Sequence, residues 1–337
     1  MTPEAQPSQG TPSGGATAPR TLTRQQATAV AHGILDEVAR AVVGKRDVVG
    51  LILAGLMADG HVLLDDVPGV AKTLTARSLA TAAGLQFSRV QFTPDVLPAD
   101  ITGSLVLDLA TQRPGFRPGP VFTDLLLADE VNRAPAKTQS ALLEAMQERQ
   151  VTVDGDAHAL SRPFLVVATQ NPIESEGTYP LPEAQLDRFL IRTTMGYPTE
   201  QDEVELLAQR IARRTDDFDL RPVCDSETFL ALQGAVEDIR VDPRLLSYSV
   251  ALVRATRAEP SLDVGSSPRG TLALVKMARA SALLDARDFV GPDDIRHMAI
   301  PALAHRVVLS DEAWARRTDP VDLVREAIDR VPVPDFQ

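Results

Sequence analysis

The chain has 337 residues, 44% of them apolar and 4% aromatic, and carries a formal charge of −12. That length can fill two cores of roughly 100–200 residues each, and the scarcity of aromatics favours a helix-rich α/β protein over an all-β sandwich. The acidic balance argues against binding nucleic acid or inserting in a membrane surface, because both partners are anionic and are held by Lys and Arg.

Residues 1–21 are rich in Pro, Gly, Ser, Thr and Ala and lack the basic start and apolar block of a secretory signal, so they read as a disordered tail. From Leu22 to Arg40, Val30, Ile34, Val38 and Ala41 recur at helical spacing, and a second helix-like stretch runs from Val48 to Asp59. The apolar run His61–Leu64 then ends at Asp65-Asp66-Val67-Pro68-Gly69, as a buried strand entering a tight loop does, and Thr73–Ala83 is the helix that follows. Strand, loop and helix in that order open a parallel α/β sheet. Three further strands are expected at Leu85–Phe92, Asp124–Ala128 and Pro163–Thr169, with a helix at Pro135–Arg149. Between Thr93 and Thr123 eight Pro and Gly residues rule out one long helix and suggest an inserted hairpin. Beyond Pro198 helical periodicity dominates, at Glu200–Arg214, Ser226–Asp238, Pro243–Thr256, Pro268–Leu284 and Pro292–His305. The expected organisation is a P-loop core with a parallel sheet between helices over 22–198 and a small all-helical lid over 199–337, hinged near Pro198-Thr199.

Asp66-Val67-Pro68-Gly69-Val70-Ala71-Lys72-Thr73 matches most of G-x-x-x-x-G-K-[ST], with Asp66 and Ala71 standing where two glycines are usual. Such a loop wraps phosphates with backbone N–H groups, and the residues expected to touch nucleotide are Pro68, Gly69, Val70, Ala71, Lys72, Thr73 and Leu74. Thr73 also supplies a hydroxyl for Mg²⁺. Asp129 and Glu130 end the apolar run Leu125–Ala128 at the same edge of the sheet; Asp129 suits Mg²⁺, and Glu130 suits orienting or deprotonating the attacking water. Asn171 closes the next strand, where its amide can hold that water or the γ-phosphate, although Asn-Pro is also an ordinary turn pair. The single cysteine, Cys224, excludes an internal disulfide and a CxxC pair, which fits a reducing cytosol. His32, His61, His158, His297 and His305 lack zinc-type spacing and are taken as structural.

The stretch from Leu127-Ala128-Asp129-Glu130-Val131-Asn132-Arg133 to Leu142-Leu143-Glu144-Ala145-Met146 resembles the signature of the MoxR family of AAA+ ATPases. Ala168–Pro172, Leu181–Phe189 and Ser267-Pro268-Arg269 continue the resemblance, which covers roughly Val42 to Val308 and extends to the variant loop Val70-Ala71-Lys72-Thr73. It implies a hexameric or related ring with ATP at subunit interfaces, and a chaperone-like role toward a protein client bearing a von Willebrand factor A domain; the cysteine usage places that ring in the cytoplasm. It further implies that Arg188 is a finger reaching a neighbour's γ-phosphate, that Arg269 is the lid's nucleotide-sensing arginine, that Arg133 is a third interface arginine, and that Val43-Gly44 packs on adenine. Without the resemblance, Arg188 reads as a surface partner of Asp187 or Glu183, and Arg269 as an exposed residue at a helix start. Two other functions stay open: a subunit like those that drive magnesium insertion into porphyrins, and a nucleotide-gated scaffold with little hydrolysis, suggested by Asp66 and Ala71. A nucleic-acid motor is disfavoured by the charge and the few aromatics.

Overall fold

The computed structural model describes residues 20–108, 112–172 and 178–335. Of the expected tail, residues 1–19 lie outside this set, whereas the Arg20 guanidinium donates to Thr228 Oγ1 at 2.7 Å. Two helices lead in, α1 (Arg24–Ala39) and α2 (Arg46–Met57), the first started by a reciprocal Thr23–Gln26 capping box. The core follows as β1 (Val62–Asp65), α3 (Lys72–Ala82), β2 (Phe87–Gln91), α4 (Pro98–Thr102), β3 (Gly103–Asp108), β4 (Arg113–Pro118), β5 (Leu125–Asp129), α5 (Ala136–Glu148), β6 (Gln150–Val153), β7 (Asp156–Ala159), β8 (Leu165–Gln170), α6 (Glu183–Leu186) and β9 (Ile191–Thr193). Beyond it run α7 (Glu200–Arg213), α8 (Ser226–Glu237), α9 (Pro243–Arg257), β10 (Leu262–Val264), α10 (Pro268–Leu284), α11 (Pro292–Leu303), β11 (Val308–Leu309), α12 (Asp311–Ala315) and α13 (Pro320–Asp329).

Five strands form one parallel sheet in the order β2-β5-β8-β1-β9. Alternate residues feed two separate cores: Val62, Leu64, Leu125, Leu127, Leu165 and Val167 face one, and Leu63, Leu126, Ala128, Val166 and Ala168 the other. Both faces are therefore covered, which is why β5 and β8 are near-continuous apolar runs. The parallel direction gives the sheet two unlike edges. All strands end toward Gln91, Asp129, Gln170, Asp65 and Thr193, and all begin toward Phe87, Leu125, Leu165, Val62 and Ile191.

The four expected strands and the expected helices are present with ends shifted by a residue or two, and the expected insertion contains the antiparallel hairpin β3–β4. The sheet has a fifth strand, β9, and a second antiparallel hairpin, β6–β7, follows α5. One core unites helices on both sides of Pro198: α1, α2 and α3 share it with α8, α9, α10 and α11. Thr28 Oγ1 donates to Leu283 O at 2.9 Å and Gln233 Nε2 to Leu56 O at 2.8 Å, tying those helices together. Among the described residues no helix is long and apolar enough to cross a membrane.

Candidate functional site: two edges of one sheet

The loop after β1 turns through two left-handed positions, Gly69 at φ 86° and Ala71 at φ 62°. Left-handed backbone costs an alanine on the order of 1–2 kcal/mol, so the loop holds a geometry that glycine would adopt freely. Asp66, the other departure from the glycine pattern, is buried and structural: its carboxylate accepts the backbone N–H of Met195 and, at 3.1 Å, of Gly196, pinning the loop to the segment after β9. Pro68, Gly69 and Ala71 are exposed, Val70 is buried, and Lys72 and Thr73 open α3. Lys72 is 8% exposed and its ammonium donates to Asp66 O at 2.6 Å and Gln170 O at 3.3 Å. Burial pulls its pKa down, opposed by the carboxylates of Asp66, Asp129 and Glu130.

Across the loop, the Asp129 carboxylate is held from three directions. Thr169 Oγ1 donates to Oδ1 at 2.7 Å, while Oδ2 accepts Thr73 Oγ1 at 3.3 Å and the Arg89 guanidinium at 2.7 and 3.1 Å. Glu130 sits at φ 56°, its N–H on Thr169 Oγ1 at 2.8 Å and its Oε2 accepting Gln91 Nε2 at 2.8 Å and Arg133 Nη1 at 2.9 Å. Asn171 is buried beside them, and its carbonyl accepts Asn132 Nδ2 at 3.1 Å. Lys72, Thr73, Asp129, Glu130 and Asn171 thus share the carboxyl edge of the sheet, the position at which α/β sheets bind ligands. A buried ammonium at a helix start, exposed loop backbone, and a hydroxyl 3.3 Å from a carboxylate fit a triphosphate with a hard, oxygen-seeking cation.

Gly44, which follows Val43, lies against the first turn of α7: a Cβ on it would stand 2.1 Å from Asp202 Cγ, and Lys45 Nζ donates to Tyr197 O at 2.7 Å. Leu74 instead lines a cavity of about 290 Å³ with Ser78 and Phe218. Arg133 forms an ion pair with Glu130 of its own chain at 2.9 Å.

Arg188 and Arg269 meet at the opposite edge. Both line a cavity of about 290 Å³ next to His61 and Leu190, the residues preceding β1 and β9, and the P-loop, Asp129 and Glu130 are not among its walls. It holds five cationic side chains, Arg149, Arg188, Arg269, Lys276 and Arg306, against the carboxylates of Asp59 and Asp187. Neither the Arg188 nor the Arg269 guanidinium carries a hydrogen bond or ion pair among the described residues, because Asp187 is bound to Arg306 and Ser267 instead. Beneath them His61 is buried and neutral, accepting Val166 N–H at Nδ1 and donating from Nε2 to Met146 O, both at 3.1 Å. Burial lowers its pKa to about 4. Arg89, Gln91 and Thr169 belong to the site although no sequence motif singles them out. The alternation Arg89-Val90-Gln91 carried the signal for the first two, since residues two apart on a strand share a face.

Two family models match: the ATPase family associated with various cellular activities (AAA) over residues 61–191, and the AAA lid domain over 254–327. The chain is 49% identical to the uncharacterized protein YeaC of Bacillus subtilis over 300 residues, spanning 89% of this chain and 93% of that one. It is 41% identical to Chaperone MoxR1 of Mycobacterium tuberculosis over 307 residues, 88% and 81% of the two chains. A crystal structure of a candidate ATPase from Cytophaga hutchinsonii superposes with a TM-score of 0.86 at 37% identity, covering 93% and 97%. A fold of a parallel sheet between helices with a helical lid, and relatives of this identity over nearly the whole chain, establish that the protein belongs to the MoxR family of AAA+ ATPases.

Proposed function

We propose that the protein binds MgATP at the carboxyl edge of its sheet, hydrolyses it where a second copy supplies Arg188 and Arg269, and uses the cycle to remodel a protein client. The observation that carries this reading is the separation of the two half-sites. β1 alone puts about 13 Å of strand between them, at ~3.3 Å per residue, further than a guanidinium reaches. An arginine pair without partners on one edge and a phosphate cradle on the other form a complete site only head to tail, and a head-to-tail contact that closes gives a ring, here a hexamer or a related assembly.

In this reading Lys72 and the loop N–H groups of residues 69–73 hold the β- and γ-phosphates, and Val43 and Gly44 flank the base. Thr73 and Asp129 would hold Mg²⁺, which when bound neutralises charge on the phosphates. Arg89 must leave Asp129 Oδ2 for that to happen, and its side chain, 46% exposed, is free to swing. Glu130, once released by Gln91 and Arg133, takes a proton from water that Asn171 helps to orient. Arg188 and Arg269 of the neighbour neutralise the charge that builds on the transferring phosphoryl oxygens. We place the core at 22–198, the lid at 199–337 and the protein in the cytoplasm, and take the client to carry a von Willebrand factor A domain, as the family resemblance implies. The relative named Chaperone MoxR1 supports a client that is a protein.

A nucleotide-gated scaffold is the second reading, and the hold of Gln91 and Arg133 on Glu130 favours it. Steady-state ATP hydrolysis across protein concentrations separates the two. The hydrolytic reading requires specific activity that rises with assembly and is lost in Lys72→Ala, Glu130→Gln and Arg188→Ala. Nucleotide binding without turnover at any concentration, with or without client, leaves the scaffold.

A further inference from the structure

Arg306, just beyond α11, is a guanidinium with a 3% exposed side chain. It donates through Nη1 to Asp187 O at 2.9 Å and to the Asp187 carboxylate, through Nη2 to Phe189 O at 2.6 Å and Leu190 O at 3.4 Å, and through Nε to Ala302 O at 2.7 Å. The carbonyls on both sides of Arg188 are therefore gripped by one rigid fork, and His305 Nε2 adds a bond to Phe189 O at 3.1 Å. The same Asp187 carboxylate accepts Ser267 Oγ at 3.1 and 3.3 Å. Ser267 is the N-cap of α10, and its Oγ accepts Arg269 N–H at 3.1 Å. Gly270 keeps α10 close: a Cβ there would stand 2.9 Å from Leu303 Cδ2 and 3.4 Å from Arg306 Cδ.

We infer that Arg306 is a positioning residue for hydrolysis on the neighbouring subunit, fixing Arg188 through its flanking carbonyls and Arg269 through Asp187 and Ser267 so that both arginines are presented as one unit. The inference rests on the proposal that Arg188 acts across an interface. It touches no nucleotide itself; its work is to keep two unpartnered cations from relaxing apart before a phosphate arrives. An arginine suits this because its planar donors meet several carbonyls and a carboxylate at fixed angles, which an ammonium on a flexible stem does not.

The test compares Arg306→Met and Arg306→Lys, the latter retaining the buried charge opposite Asp187 so that the fold is kept if the methionine variant unfolds. Each is assayed alone and mixed in equal amounts with Glu130→Gln, with Arg188→Ala mixed with Glu130→Gln as the control. Alone, both variants should keep KM for ATP within about threefold of wild type while kcat falls roughly 10- to 100-fold, less for lysine, as expected when a transition-state contact is misplaced and ground-state binding is not. Mixing should recover about a quarter of wild-type turnover per subunit, the share of interfaces in a random ring that pair an intact cradle with an intact arginine edge. A kcat within twofold of wild type for both variants overturns the inference. So does a variant that loses nucleotide binding and stays silent in the mixture while the Arg188→Ala control recovers, for then Arg306 supports only the fold. A control that fails to recover removes the interface reading, and the role of Arg306 with it.

Discussion

At the carboxyl edge of the sheet the groups expected to meet nucleotide have partners they can exchange. Lys72 rests on two carbonyls, Asp129 on a half-exposed arginine, and Glu130 on Gln91 and Arg133. At the amino edge the pattern inverts, with the Arg188 and Arg269 guanidinium groups unpaired among the described residues and the groups that hold their backbone, Arg306, His305 and Asp187, buried or locked together. An edge whose partners are exchangeable suits a small ligand that displaces them. Rigid backbone under free cations suits a macromolecule that brings the anion ready-made, as a second copy with bound triphosphate would.

The sharpest break in this comparison comes from Arg188→Ala, expected to lower kcat by about 10³-fold or more while leaving ATP binding intact, because a finger acts on the transition state. Steady-state kinetics alongside equilibrium binding of a fluorescent ATP analogue read the two separately, and a parallel loss of binding would put Arg188 at its own chain's nucleotide. Next in size is the pH response of the amino edge. His61 titrates near 4 when folded and near 6.5 when unfolded, so the unfolded chain takes up the proton first. Its contribution is fully present above about 6.5 and is lost as pH falls toward 4, up to roughly 3 kcal/mol at ~1.4 kcal/mol per pKa unit. His305, also buried and shifted down, has the same sign. Urea midpoints should fall across that window and fall less steeply in His61→Gln; equal slopes would show that His61 is not held neutral.

At the carboxyl edge, Ala71→Gly should raise stability or leave it unchanged by relieving about 1 kcal/mol of left-handed strain, partly offset by the freedom glycine gains when unfolded. Thermal melting decides it, and a clear drop would mean the alanine is not strained. The smallest effect expected is from Arg89→Met, which frees Asp129 Oδ2 and should lower the Mg²⁺ concentration for half-maximal turnover about threefold, the scale of a half-exposed ion pair. A higher Mg²⁺ requirement would make Arg89 a helper rather than a competitor.

What was legible in the sequence was local. Helices stood out by apolar spacing, with Thr199 marking one start as a cap, and β1, β5 and β8 because both faces of a parallel sheet are buried. β9 escaped because three residues with Arg192 in the middle carry no periodicity, and β6–β7 because its strands are short and largely exposed. The carboxyl edge was readable since each contributor follows its own strand directly. The amino edge was not: Arg188 and Arg269 were named from resemblance alone, and the grip of Arg306 on Asp187 spans 119 residues, a contact that only the packing of α11 against β9 creates. Asp66 stands in sequence where a glycine is usual, and its carboxylate ties the loop to Met195 and Gly196, a tertiary tie that no local pattern carries.

The central claim, one site assembled from two unlike edges, is tested most directly by mixing two inactive proteins, Arg188→Ala and Glu130→Gln, and measuring ATP turnover. The account predicts recovery to about a quarter of wild-type activity per subunit in equal mixtures, since some interfaces then join an intact cradle to an intact arginine edge. Silence in the mixture, with each variant folded, assembled and binding ATP, would contradict it.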